Sequence, residues 1–183
     1  MKSQPREKRA SGGTLSRVPP STTRKALLIE GTDRQFREFI DDFVRLSARL
    51  QALRQALARR MGMTPPQYNI LMILARAATV DGQSMSAIAA RLRVSLSFVV
   101  SQTRDLARMG LIDLRRNPAD RRSVLAMITS AGRRRITRAA PQIQQVNDLL
   151  FASLTRPELK AMDHAIKRVL KGSEAAVLAL RAS

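Results

Sequence analysis

The chain has no cysteine and no tryptophan, one histidine (His164) and one tyrosine (Tyr68). Without thiols there can be no disulfide, thiolate metal site, cysteine nucleophile or cysteine redox sensor. A single histidine excludes a histidine-rich metal cluster within one chain. Aromatic residues make up only 3% of the sequence, so a core must be built from Leu, Ile, Val, Ala and Met. Unbranched members of that set lose little rotamer freedom in helices, and the composition favours a helical protein. No window approaches eighteen consecutive apolar residues, so no membrane-spanning helix is expected. The basic N-terminus is not followed by an apolar run and does not read as a secretory signal. The cytoplasm is the expected location. Acidic residues are also scarce, 14 against 33 basic ones.

What is present follows from that imbalance. The formal net charge is +19 over 183 residues, and a symmetric pair of copies would carry twice that. Such an excess repels itself in a compact state unless a polyanion is bound. Nucleic acid is the first candidate and a membrane surface the second. Arginine dominates, at 27 residues against 6 lysines, and its planar fork suits phosphates and guanine edges. A GC-rich genome would also supply arginine, and composition does not separate the two explanations.

Along the chain, residues 1–30 hold seven basic residues, three prolines and little apolar periodicity, the pattern of a disordered basic tail. Such a tail would either track DNA phosphates or remain a solvated extension. From Asp33 to Arg60, Phe36, Phe43, Leu50 and Leu57 recur every seven residues, with Phe39, Leu46 and Leu53 between them. This seam predicts a long helix over 31–62 that packs on other helices or on a second subunit. Thr64-Pro65-Pro66 starts a second helix, which Asp81-Gly82 breaks. Ser86 is read as the cap of a short helix, Ala87 to Leu92. After the break Arg93-Val94-Ser95, a further helix runs from Leu96 to Met109 and stops at Gly110. Leu111–Arg115 and Ser123–Ile128, joined at Asn117-Pro118-Ala119-Asp120, read as a β-hairpin. Thr129 opens a long helix to about Ser153, with a kink or break expected at Pro141. Thr155 and Glu158 form a capping box for a helix that Gly172 should stop, with a last short turn over 175–180. The segmentation is a tail (1–30), an N-terminal dimerisation helix (31–62), a DNA-binding domain (63–130) and C-terminal dimerisation helices (131–183).

The middle of the chain has the order of a winged helix-turn-helix. Ala89 is small enough for the second helix to approach the first, and Val99, ten residues on, is β-branched and packs back. The turn position, Arg93, is one that often needs positive φ and prefers glycine. With Leu96, Val99, Thr103 and Leu106 facing inward, Ser97, Ser101, Arg104 and Arg108 face out, and Phe98, Gln102 and Asp105 lie on the flank. The second helix enters the major groove by its N-terminal part. Ser86, Ser95, Ser97, Ser101 and Arg104 are therefore candidate DNA contacts. Gln102 suits adenine, and Phe98 a thymine methyl or a buried domain junction. Asp120-Arg121-Arg122 tips the hairpin. Arginine there gains from the potential of a narrow minor groove, and Asp120 can orient an arginine side chain by a charge-assisted bond.

With TPPQYNILMIL, SMSAIAARL, LARMGLIDLRRNPADRRSVLAMITSAGRR and a terminal helical pair, the chain resembles the MarR family of bacterial regulators over residues 35–171. The resemblance implies a mostly α-helical fold with a small β-hairpin wing, and a homodimer formed by the N- and C-terminal helices. It implies binding to a pseudo-palindromic double-stranded DNA operator, with Arg122 as the minor-groove reader and Arg121 on a phosphate. It also implies a repressor released by a small aromatic acid or aryl-CoA effector, with Phe43, Arg49, Tyr68 and Met72 as candidate lining residues. Phe98 stands where the family often has Thr or Ser, and Ser101 where it often has a basic residue, so no operator sequence carries over. No cofactor is implied. No nucleophile–base pair, paired carboxylate, phosphate-cradling loop or metal cluster points to an enzyme. A non-specific architectural DNA protein and a protein–protein adaptor are the alternatives.

Overall fold

The computed structural model describes residues 18–77, 82–120 and 122–182. Residues 1–17, Asp81 and Arg121 lie outside the described residues, and with them the first part of the expected tail, one half of the Asp81-Gly82 break and one wing arginine. Contacts divide the chain into two units at Gln51/Ala52.

In the first unit, residues 18–30 hold more order than a tail. Lys25–Leu27 form a single 3-10 turn, and Ile29 and Thr32 exchange backbone hydrogen bonds. The Asp33 carboxylate accepts from the Ser21 amide at 2.6 Å and the Ser21 hydroxyl at 2.7 Å. These two bonds, with Arg37 adding a favourable charge, hold the Asp33 carboxyl below its usual value against the opposing effect of burial. Helix α1 (Arg34–Arg60) begins here. Its phenylalanines Phe39 and Phe43, with ring centroids 6.2 Å apart, lie exposed beside Ile40 and Val44.

The second unit contains the core. Leu57, Ala58, Met61 and Met63, at and after the end of α1, are buried. Helix α2 (Pro65–Ala75) starts with a reciprocal cap: the Thr64 hydroxyl accepts from the Gln67 amide, and the Gln67 side chain accepts from the Thr64 amide. Two prolines in its first turn cost nothing, because those N–H groups would have no helical partner. Tyr68, Ile70, Leu71, Ile73 and Leu74 bury most of its circumference, as expected of a central helix.

Strand β1 (Gln83–Ser84) is too short to leave a periodic signal and was not expected. Helix α3 (Met85–Leu92) follows, capped by Ser84 rather than Ser86, the Ser84 hydroxyl accepting from the Ala87 amide. Helix α4 (Leu96–Arg108) is capped by Ser95. Strands β2 (Ile112–Arg116) and β3 (Val124–Ile128) form the hairpin in the register Ile112↔Ile128, Leu114↔Ala126 and Arg116↔Val124. β1 adds antiparallel to β3, giving the order β1-β3-β2. Helix α5 (Ser130–Leu150) contains Pro141 and continues through it. Thr137, four residues earlier, and Pro141 itself are exposed, so water can serve the carbonyl that loses its partner. Helix α6 (Arg156–Ala182) likewise passes through Gly172. One glycine costs only about 1 kcal/mol, and strong helix formers surround it. The Glu158 carboxylate accepts from the Thr155 hydroxyl and amide at the start of α6, which lowers its pKa.

One contact fixes α5 against the wing. The Thr129 hydroxyl accepts from the Gly132 amide at 3.0 Å and donates to the Gly110 carbonyl at 2.8 Å. Gly132 is thereby pressed onto the base of the hairpin, where a Cβ would stand 2.3 Å from the Leu111 carbonyl oxygen and 2.8 Å from Ile128 Cγ1. Gly132→Ala should therefore lower stability by about 1–3 kcal/mol through overpacking, although alanine is the better helix former. Chemical denaturation measures this, and a stabilised variant would refute the close approach.

Candidate nucleic-acid interface

The interface rests on the packing of α3 against α4. Ala89 is nearly buried and Val99 fully so, in the small and β-branched roles expected of them. Arg93 ends α3 in the left-handed region (φ 53, ψ 47), its amide reaching Ala89 and Ala90. The Val94 amide also bonds the Ala89 carbonyl at 3.2 Å. The backbone thus adopts the positive φ that the motif needs, without glycine. The Arg93 guanidinium pairs with Glu174 of α6 at 2.6 Å. At the back of α4, Thr103 and Leu106 are fully buried. The Thr103 hydroxyl is satisfied by the Val99 carbonyl at 2.8 Å, so a buried polar group adds no penalty.

The outward face is largely as the sequence arranged it. Ser97, Ser101, Arg104 and Arg108 are exposed. Arg108 pairs with Asp105, whereas Arg104 makes no ion pair among the described residues. Leu96 departs from expectation, and Gln102 and Phe98 take up particular surroundings. Leu96, assigned inward, is 52% exposed and lines the open cleft between α4 and the hairpin. Gln102 is half-buried, its Oε1 accepting from the Thr64 hydroxyl at 3.3 Å, which engages the carbonyl that would read adenine. Phe98 is 38% exposed and not enclosed at a junction within this chain. The Ser95 hydroxyl caps α4 at the Phe98 amide and lies 3.1 Å from the Ser97 hydroxyl. Ser86 is exposed, 3.1 Å from the Ser84 hydroxyl.

The wing tip is a set of short-range hydrogen bonds. Asn117 Oδ1 accepts from the Ala119 amide, and the Ser123 amide bonds the Asp120 carbonyl at 2.9 Å. Asp120 Oδ1 accepts from the backbone amide of Arg122 at 3.0 Å. Asp120 therefore shapes the turn through the main chain, and pairs with no arginine side chain among the described residues. Arg122 is exposed. Its side chain helps line a cleft of about 460 Å³ between α4 and the hairpin, with Arg104, Arg115 and Arg116 around it and Leu96, Val100, Leu114 and Val124 within it. Sequence reasoning missed Arg115 and Arg116. Their position on the strand before a tip arginine was the available signal.

Of the four residues assigned to an effector, two belong to each unit. Phe43 and Arg49 are exposed on α1 in the first unit. In the second unit Tyr68 is buried in α2 and Met72 half-buried against the core. Burial raises the Tyr68 pKa, and the nearby charges of Arg76 and Arg54 oppose that rise. No helix among the described residues is long and apolar enough to cross a membrane.

Residues 61–123 match the MarR family model. A curated protein of Mycobacterium tuberculosis described as uncharacterized is 28% identical over 131 residues, covering 72% of this chain and 89% of that protein. Among solved structures, a MarR family transcriptional regulator from Streptomyces coelicolor in complex with DNA superposes with a TM-score of 0.66. It is 21% identical, over 74% of this chain and 86% of that one. The PcaV regulator of Streptomyces coelicolor, bound to its natural ligand, is 28% identical with a TM-score of 0.55, over 70% and 91%. CouR from Rhodococcus jostii, bound to p-coumaroyl-CoA, is 19% identical with a TM-score of 0.62, over 69% and 87%.

The backbone at Arg93 generates a test. Arg93→Gly should leave thermal stability unchanged or raise it, because glycine adopts positive φ without a Cβ clash. Arg93→Val should cost about 1–2 kcal/mol at the same position. A greater loss in the glycine variant than in the valine variant would contradict a left-handed turn.

Proposed function

The chain carries the winged-helix fold of the MarR family of transcriptional regulators and matches that family over residues 61–123, and from that premise we propose that it binds a DNA operator sequence-specifically as a homodimer. The observation that carries this reading is a cleft that joins α4 to the wing and brings Arg104 and Arg122 to one face. Ser86, Ser95, Ser97, Phe98 and Ser101 would meet the major groove, Arg122 the minor groove, and Arg121 a phosphate. The charge of +19 would be offset by phosphates, with the strong salt dependence that counterion release produces. Dimerisation is proposed through α1 on one side and through α5 and α6 on the other. The exposed Phe39, Phe43 and Val44 of the first unit support it, as do Leu149, Val169 and Leu178 of the second. Two copies would read a pseudo-palindrome with half-sites about one helical turn apart. The activity is regulation rather than catalysis.

We further propose that the protein is a repressor controlled by a small aromatic acid or its CoA thioester. The ligand-bound relatives support this class. Phe43, Arg49 and Met72 remain candidate contacts. An effector works only if it binds one dimer geometry better than another.

Selection of bound duplexes from random DNA tests the main reading. A regulator should prefer its site about 10³-fold or more over random DNA at physiological salt, and Arg122→Ala should lose about tenfold or more in affinity. Equal affinity for all duplexes would favour an architectural role, and an indifferent Arg122→Ala variant an adaptor. For control, thermal-shift screening of phenolic acids and their CoA thioesters should find a stabilising compound that also weakens operator binding. A flat response across that panel removes the effector proposal.

A further inference from the structure

The helix end that would enter the groove contains no charge. From Val94 to Thr103 there is no acidic or basic residue, and the first cation of α4 is Arg104, in its third turn. The one side-chain amide in this stretch, Gln102, has its carbonyl engaged by the Thr64 hydroxyl. The Ser95 hydroxyl caps the helix, and the Ser97 hydroxyl lies against it. Apolar surface is what the segment does expose: Leu96 at 52%, Phe98 at 38% and Val94 at 37%. Leu96 and Val100, one turn apart, continue into the cleft toward Leu114 and Val124.

This pattern limits what the segment can recognise. The commonest specific base contact, a bidentate arginine or lysine on guanine, has no donor here, and the one side-chain amide already accepts from Thr64. Apolar side chains pressed onto base edges leave buried donors and acceptors unpaired, which is costly. The apolar group in the major groove that rewards them is the C5-methyl of thymine. Resting on the DNA-reading role proposed above, we infer that Leu96, supported by Phe98, is a specificity-determining residue that reads thymine methyl groups. Each half-site then carries one or two T·A pairs under the first turn of α4, and hydrogen-bonded readout comes from elsewhere on the interface. The inference assigns recognition to a residue that helical periodicity alone places in the core.

The test uses the full chain and the duplex that it selects from random DNA. Each thymine of the half-sites is replaced in turn by deoxyuridine, which removes the methyl group and keeps every hydrogen-bonding group. One or two positions per half-site should lose about three- to fivefold in affinity, the value of one buried methyl. In Leu96→Ala, affinity for the thymine duplex should fall and the thymine-to-uracil ratio at one of those positions should drop to about one. Leu96→Met, which keeps an apolar side chain of similar volume, should retain the ratio. Because Leu96 is exposed, the thermal midpoints of both variants should match the parent. Uracil tolerated at every position by the unsubstituted chain overturns the inference, and no variant is needed for that measurement. A thymine-to-uracil ratio unchanged in both Leu96→Ala and Phe98→Ala also overturns it. Failure to select any site is a different result: it removes the sequence-specific reading and this inference with it.

Discussion

Everything that α4 presents to solvent depends on how closely its back is held by α3. The contact is made by Ala89 and Val99 and closed by a turn whose residue 93 lies in the left-handed region. A longer side chain at 89 would push α4 outward, and an extended backbone at 93 would swing it away. The buried Thr103 and Leu106 carry the same constraint further along the helix. With that face fixed, the helical period decides the rest: residues 97, 101, 104 and 108 have only solvent to face.

The wing depends on a second, smaller constraint. The Thr129 hydroxyl bonds the end of α4 through the Gly110 carbonyl and the start of α5 through the Gly132 amide. The Thr129 amide reaches Leu111 at 3.1 Å. One residue thus joins α4, the hairpin and the helix that follows. The hairpin leaves this junction with Ile112 and Ala126 buried. Toward its tip the same face opens into Leu114, Val124 and Arg116, which line the cleft beside α4. Nearly all ion pairs of the described residues lie within one helix or one strand, such as Arg34–Glu38 and Asp163–Lys167. They leave the basic excess of the outward face largely unbalanced.

Much of this was legible beforehand because it depends on local chemistry. The Thr64 cap, the glycine stop at 110, the hairpin around Asn117 and the inward positions Val99, Thr103 and Leu106 all follow from short-range signals. Other features depend on partners or exposure that short-range signals do not give. Gln102 was assigned to adenine but bonds Thr64, 38 residues away in sequence. Asp120, expected to orient an arginine side chain, accepts from the Arg122 amide, and Arg121 lies outside the described residues. Ser86 lost the cap of α3 to Ser84, where β1 pairs with β3. Gly172 and Pro141 were expected to interrupt helices, but both sit on exposed surface, where the cost of either residue is small enough to be absorbed.

By itself, then, the sequence determined the order of elements, the winged-helix pattern and the charge that calls for a polyanion. These depend on periodicity, capping and composition, which act over a few residues at a time. Only the tertiary structure decided which side chains of α4 remain available for recognition. Leu96 shows why. Helical spacing puts it in line with Val99 and Leu106, but α3 packs over Val99 in that turn, whereas Leu96 lines the open cleft toward the hairpin and becomes part of the surface.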